Sequence, residues 1–159
     1  MKHSLAVAGV ATLLGAAAVQ AAGGPELLRL TPAEIAVKPS ISAGAGTSGI
    51  AAIRTTILYG DPTRPGAYTI ALKVPANTRI AAHSHRDERT AVVVSGTWYF
   101  GFGDHASDAL RKALPPGSFY TEPANVTHFA RTGATPAIVY ISGYGPTDTR
   151  YVDADAAPR

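Results

Sequence analysis

Three of the five histidines in this 159-residue chain carry types and spacings suited to holding a metal ion. His83 and His85 occupy alternate positions in HSHRDERTAVVVSG. On a strand, side chains alternate with period two, so both imidazoles project from one face. His128 lies in PANVTHFART, just after a turn built on Pro123 and Asn125, at the start of another apolar stretch. Three imidazoles near strand ends, two of them on one face, can converge in the mouth of a barrel. Neutral imidazole is the commonest protein metal ligand near pH 7, and strands hold such ligands rigidly. The H-x-H pair by itself also describes hydrogen-bonded or solvated histidines, so its surroundings decide.

Those surroundings are short strand signals in close succession: IAAIRTTILYG, GAYTIALKV, TRIAAHSH, TAVVVSGTWYFGFG, SFYTEP, THFART and AIVYISGYG. Each is rich in Val, Ile, Thr or Tyr and bounded by Gly, Pro, Asn or Asp. Thr31, Pro32 and Glu34 in LTPAEIAV have the pattern of a capped helix start, which predicts one or two helical turns. ASDALRKAL is a second short helix candidate, and SAGAGTSG (residues 42–49) reads as a flexible loop. Many short strands with tight turns point to an all-β sandwich or barrel.

With the elements in place, two stretches resemble the motifs of the cupin family. The first runs from Asn77 through TRIAA, His83, Ser84 and His85 to Gly96; the second from Gly117 through SFYTE, Pro123, Ala124, Asn125, VT and His128 to Thr132. Asn77 and Asn125 stand where the motifs have glycine, and asparagine tolerates the left-handed backbone such turns require. Thr132 replaces an asparagine outside the metal shell. The motif glutamate, seven residues before Gly96, is replaced by Arg89, with the carboxylate one residue earlier at Glu88. A one-residue slip turns a side chain to the other face, so Glu88 reaches the histidines only through a bulge or loop. Glu122, before the motif proline, is the other carboxylate within range, with an exposed strand end as its plainer reading. An inward Arg89 would pair with a carboxylate-bearing ligand. The ending GYGPTDTRYV also resembles that of some exported single-domain cupins.

The resemblance implies a single-domain cupin-type β-barrel (a double-stranded β-helix, or jelly roll) with a short N-terminal extension. It implies one divalent metal ion, iron, manganese, nickel or zinc, held by His83, His85 and His128 with Glu88 as provisional fourth ligand. The ligand or substrate would be a small, oxygen-rich organic molecule. Oxygenase or isomerase chemistry and non-catalytic binding or sensing both stay open, as does a homodimer, because cupins include enzymes, sensors and storage proteins.

The rest of the chain sets bounds. Lys2, the apolar run from Leu5 to Val19 and the small residues around Val19-Gln20-Ala21 read as a signal peptide cleaved after Ala21. Export to the periplasm or medium follows, with no stable membrane insertion after cleavage. The expected division is leader 1–21, extension and loop 22–50, barrel 51–152 and tail 153–159. There are 14 Lys and Arg against 11 Asp and Glu, with no basic run longer than the pair Arg111-Lys112, which offers no nucleic-acid surface. Cysteine is absent, which excludes thiol catalysis, disulfides and Cys-ligated zinc. No G-x-x-x-x-G-K-[ST] phosphate loop or G-x-S-x-G elbow is present. His105 reads as solvated; of Trp98 and Tyr99, one belongs to the core and one to the surface. Tyr68, Tyr120 and Tyr140 are candidate pocket walls.

Overall fold

The computed structural model describes residues 27–158, so the leader reading lies outside the described residues. The helix forms as its caps predict. Helix α1 (Pro32–Val37) starts at Thr31, whose hydroxyl accepts the Glu34 N–H while the Glu34 carboxylate accepts the Thr31 N–H.

Eleven strands follow: β1 (Ile41–Ser42), β2 (Arg54–Tyr59), β3 (Gly66–Val74), β4 (Arg79–Ser84), β5 (Arg89–Ser95), β6 (Trp98–Phe102), β7 (Lys112–Leu114), β8 (Phe119–Glu122), β9 (His128–Thr132), β10 (Ala137–Gly145) and β11 (Arg150–Tyr151). They pair antiparallel in two sheets, ordered β1-β2-β3-β10-β5-β8 and β11-β4-β9-β6-β7. This is a jelly roll. ASDALRKAL makes only a single 3-10 turn at Asp108–Leu110 before entering β7. The helical pattern there is too short to outweigh the pairing of Lys112–Leu114 with β6.

Period-two patterning sets which side chains enter the barrel. Along β5, Arg89, Ala91 and Val93 are buried while Thr90, Val92 and Val94 face out. The inward apolar set, including Ile53, Ile70, Val74, Val93, Val139 and Ile141, fills the space between the sheets. Tyr140 lies between buried Val139 and Ile141, so it is on the outer face and does not line the cavity at the histidines.

The turns bear out the substitution logic. Asn77 and Asn125 both adopt positive φ, 57° and 61°. Gly96 has φ 72°, and a Cβ there would lie 2.1 Å from the Pro136 carbonyl oxygen, so the hairpin between β5 and β6 requires glycine. The Thr132 hydroxyl donates to Pro75 O at 2.6 Å and accepts the Thr78 N–H at 2.9 Å, bracing the Asn77 turn well away from the histidines. Trp98 is core, and Tyr99 is half-buried under the Arg131 guanidinium.

Residues 43–49 contain no strand or helix, yet they are not loose. Thr47 and Ser48 are buried. The Arg89 guanidinium donates to Gly46 O at 2.7 Å, the Thr149 hydroxyl to Thr47 O at 2.6 Å, and the Tyr151 hydroxyl to Ser48 O. A stretch without hydrophobic periodicity reads as flexible, but here distant donors satisfy its carbonyls and hold it across one end of the barrel.

Candidate metal centre

Register places the histidines. β4 and β9 pair antiparallel with His83 directly opposite His128, and His85 follows two residues later on the same side. The His85 carbonyl accepts the Asn125 N–H at 2.7 Å, tying the motif turn to the end of β4. All three rings are buried, with candidate ligand atoms within 4.8 Å of one another. They converge on one point.

Each ring is also oriented. The Nδ1 of His83 donates to Ala81 O at 2.7 Å, that of His128 to Val126 O at 3.1 Å, and that of His85 to Asp148 O. A carbonyl only accepts, so these contacts put the proton on Nδ1 and leave the lone pair on Nε2. The Nε2 atoms of His85 and His128 are buried without a hydrogen-bond partner among the described residues. Buried acceptors are seldom left bare, and a cation is the partner this arrangement suits. Burial keeps all three imidazoles neutral. It lowers the His83 pKa to about 4, with the neighbouring His128 acting in the same direction. His85 is lowered by burial and then by the Arg89 charge; His128 is lowered by burial against the pull of Glu122. Metal ligation requires this deprotonated form.

The expectation for the fourth position changes. Glu88 is exposed and outside the cluster. Strand β5 begins regularly at Arg89, and there is no bulge to turn Glu88 inward. Arg89 takes the inward position, 2% exposed, directly opposite Glu122 of β8. Its Nε donates to Glu122 Oε2 at 2.6 Å, and its Nη2 bonds the same oxygen. That oxygen lies 3.8 Å from His128 Nε2 and 4.0 Å from His85 Nε2. The carboxylate at the cluster is therefore Glu122, delivered from the neighbouring strand. Burial pushes its pKa up, but Arg89, with the neighbouring His128 and His83, more than offsets burial and holds the carboxyl below its ordinary value.

Asp87 is a site-flanking carboxylate that sequence reasoning passed over. It is buried and accepts hydrogen bonds from the Tyr68 and Thr147 hydroxyls, both at 2.6 Å. Of the tyrosines read as pocket walls, Tyr120 lines the histidine cavity, whereas Tyr68 is core and reaches only Asp87; burial pushes the Tyr68 hydroxyl up to about 12. The one available signal was period two itself: Asp87 shares the parity of His83 and His85. His105 is exposed, as expected. Between the histidines and Glu122 lies a cavity of about 20 Å³, also lined by Arg89, Trp98, Phe100 and Tyr120. That is room for about one water molecule.

No protein-family model and no curated protein matches the chain. Solved structures do match. The polyketide cyclase RemF from Streptomyces resistomycificus aligns with TM-score 0.64 at 16% identity, over 84% of this chain and 90% of that one. An RmlC-like cupin from Shewanella frigidimarina aligns with TM-score 0.53 at 16% identity, over 69% and 85%. The fold is a cupin jelly roll. A chain from the crystal structures of the DMSP lyases RdDddP and RnDddQII shares it, with TM-score 0.54 and 21% identity over 67% of this chain. That match spans 56% of the lyase chain, little more than half its length. Within the cupin fold, the positions resembling the two motifs bring His83, His85 and His128 together, and Arg89 stands at the motif's glutamate position with its own carboxylate partner.

Proposed function

We propose that this chain is an exported metal-dependent cupin that acts on a small, oxygen-bearing organic molecule. The observation that carries the reading is the histidine cluster itself: three buried imidazoles, Nδ1 tied to carbonyls, Nε2 converging beside a buried carboxylate. His83, His85 and His128 would hold a divalent ion, with Glu122 beside it. Such an ion supplies Lewis-acid or, for a redox-active metal, electron-transfer chemistry to an oxygen atom bound on it. The protein's part is orientation and exclusion of water: the carbonyls aim the rings, Arg89 fixes Glu122, and residues 46–48 cover the barrel end. Cupin-fold neighbours that are a polyketide cyclase and DMSP lyases support an enzyme, since the same scaffold carries chemistry on small organic molecules in those proteins. The water-sized cavity favours a second reading, a module that binds or senses the ion without turning over a substrate.

Elemental analysis of the native protein tests the metal. About one equivalent of a transition metal is expected in the wild type and in Glu88→Gln, whose side chain lies outside the cluster. His83→Ala is expected to lose most of it while keeping the fold, because the apolar strands supply the core. A metal-free wild type, or an undiminished His83→Ala, sinks the reading. Export rests on the leader at residues 1–21; N-terminal sequencing of native protein is expected to start near Ala22, and a start at Met1 counts against it.

A further inference from the structure

Three arginines meet on the outer face of the second sheet, away from the histidines. Arg79 of β4 stands directly opposite Arg131 of β9. Their neighbours Ile80 and Ala130 belong to the core, so both guanidinium side chains point outward. Like charges directly opposite each other on a sheet repel. Arg111, between the 3-10 turn and β7, brings a third cation to the same place. Its Nη1 bonds Asp108 Oδ1, and the Arg131 Nε lies 3.4 Å from that oxygen. Among the described residues no other carboxylate joins these pairs, and Arg79 has no acidic partner. Three guanidinium groups against one carboxylate leave two positive charges.

That excess charge borders a cavity. Arg79, Arg111 and Asp108 line a space of about 350 Å³ together with Ile50, Ile80 and Tyr151. The volume falls in the range of small-molecule sites, roughly 300–1,000 Å³. Solvated arginines need no partner, but Arg111 is not solvated. Its side chain is 5% exposed and packs over the Phe129 ring, 5.1 Å from the centroid. Its Nε is buried without a hydrogen-bond partner among the described residues. A buried N–H left bare is costly unless something accepts it. Tyr151 offers the cavity its ring, because its hydroxyl is committed to Ser48 O. The lining therefore combines guanidinium groups with apolar side chains. An opposed cation pair, a buried bare donor and a sizeable cavity beside them are all answered by one anion.

We propose that this cavity binds a small organic phosphate monoester, its phosphoryl group held by Arg79 and Arg111 and its apolar portion laid against Ile50, Ile80 and Tyr151. A phosphate monoester carries about 1.5–2 negative charges at neutral pH on one centre, which matches the two uncompensated positive charges. Its oxygens also suit the fork of a guanidinium group. A carboxylate would cancel only half of the excess. The site stands independently of the metal reading, since the histidines lie on the inner side of the same sheet.

Phenyl phosphate is the probe, titrated into the full chain and followed by calorimetry, before and after treatment with EDTA. Saturable binding of equal affinity is expected in both. Arg79→Gln is expected to weaken it about tenfold or more, the loss of a charge-assisted hydrogen bond. Because Arg79 is exposed and faces another cation, the same variant is expected to melt no lower than wild type. Asp108→Asn is expected to tighten binding several-fold, since it frees Arg111 and Arg131 from their shared carboxylate. Benzoate, with a single charge, is expected to bind about tenfold more weakly than phenyl phosphate. Wild type without saturable binding overturns the site, as does an affinity that Arg79→Gln leaves unchanged. Binding abolished by EDTA also overturns it, because the anion would then sit on a metal. Benzoate binding as tightly as phenyl phosphate overturns the phosphate class.

Discussion

Metal-free protein is expected to lose stability steeply as the pH falls from 6.5 towards 4. In the unfolded chain His83 titrates near its ordinary 6.5, whereas in the fold burial lowers it to about 4. Between those values the unfolded state binds the proton and the folded state refuses it. The stabilisation is fully present above 6.5, falls through the window and levels off below about 4. For His83 alone the loss is on the order of 3 kcal/mol. His85 and His128 shift in the same direction and add to it. Against a total stability of about 5–15 kcal/mol, that is enough to unfold the domain. Glu122 contributes in a different window: its folded pKa is depressed, so its stabilisation is lost only as the pH falls below the ordinary carboxylate value of 4.5. Saturating zinc should move the onset to lower pH, because protons must then displace the ion. Urea melts at pH 4 to 8, with and without zinc, provide the measurement. Flat stability from pH 7 to 5 in the metal-free protein would show that the imidazoles titrate as solvated groups.

Arg89→Met is expected to cost about 3–5 kcal/mol in the metal-free protein, because it leaves Glu122 buried without its counter-charge. The two carboxylate contacts and the bond to Gly46 O disappear together. Adding Glu122→Gln to Arg89→Met should recover much of the loss, since the uncompensated charge, rather than the missing bridge, dominates the cost. A bound divalent ion should also shrink the penalty, as the cation replaces the attraction that Arg89 supplied. Chemical denaturation of the two single variants and the double variant, each with and without zinc, separates these contributions. A cost below about 1 kcal/mol for Arg89→Met would place the pair in the class of screened surface bridges.

The histidine cluster was legible because its signals are local. Period two puts His83 and His85 on one face, and a turn residue at Asn125 sets the start of the strand that carries His128. The asparagines at the glycine positions were legible for the same reason, since backbone tolerance belongs to a single residue. The carboxylate was not. Glu122 reaches the cluster through a strand pairing with Arg89, 33 residues away in sequence, and spacing along one strand does not report which strand lies next to it. Arg89 held the clue: an arginine of inward parity needs a counter-charge, and Glu122 shares the parity of Tyr120 on its own strand. Residues 43–49 were misread for a similar reason. Their order comes from Arg89, Thr149 and Tyr151, so nothing within the stretch itself announces it.

The tie between His85 and Asp148 has a consequence for the order in which the site matures. The proton on His85 is placed by a carbonyl 63 residues further along the chain. Residues 47 and 48 are likewise fastened by hydroxyls that follow more than 100 residues later. During synthesis the three histidines emerge before the segment that orients one of them and anchors the cover over all three. Until that segment docks, His85 lacks the carbonyl that sets its tautomer, while His83 and His128 have theirs two residues away. The finished cluster exists only once residues 148–151 have docked. The geometry offered to an ion is therefore set only after the chain has folded through to residues 148–151.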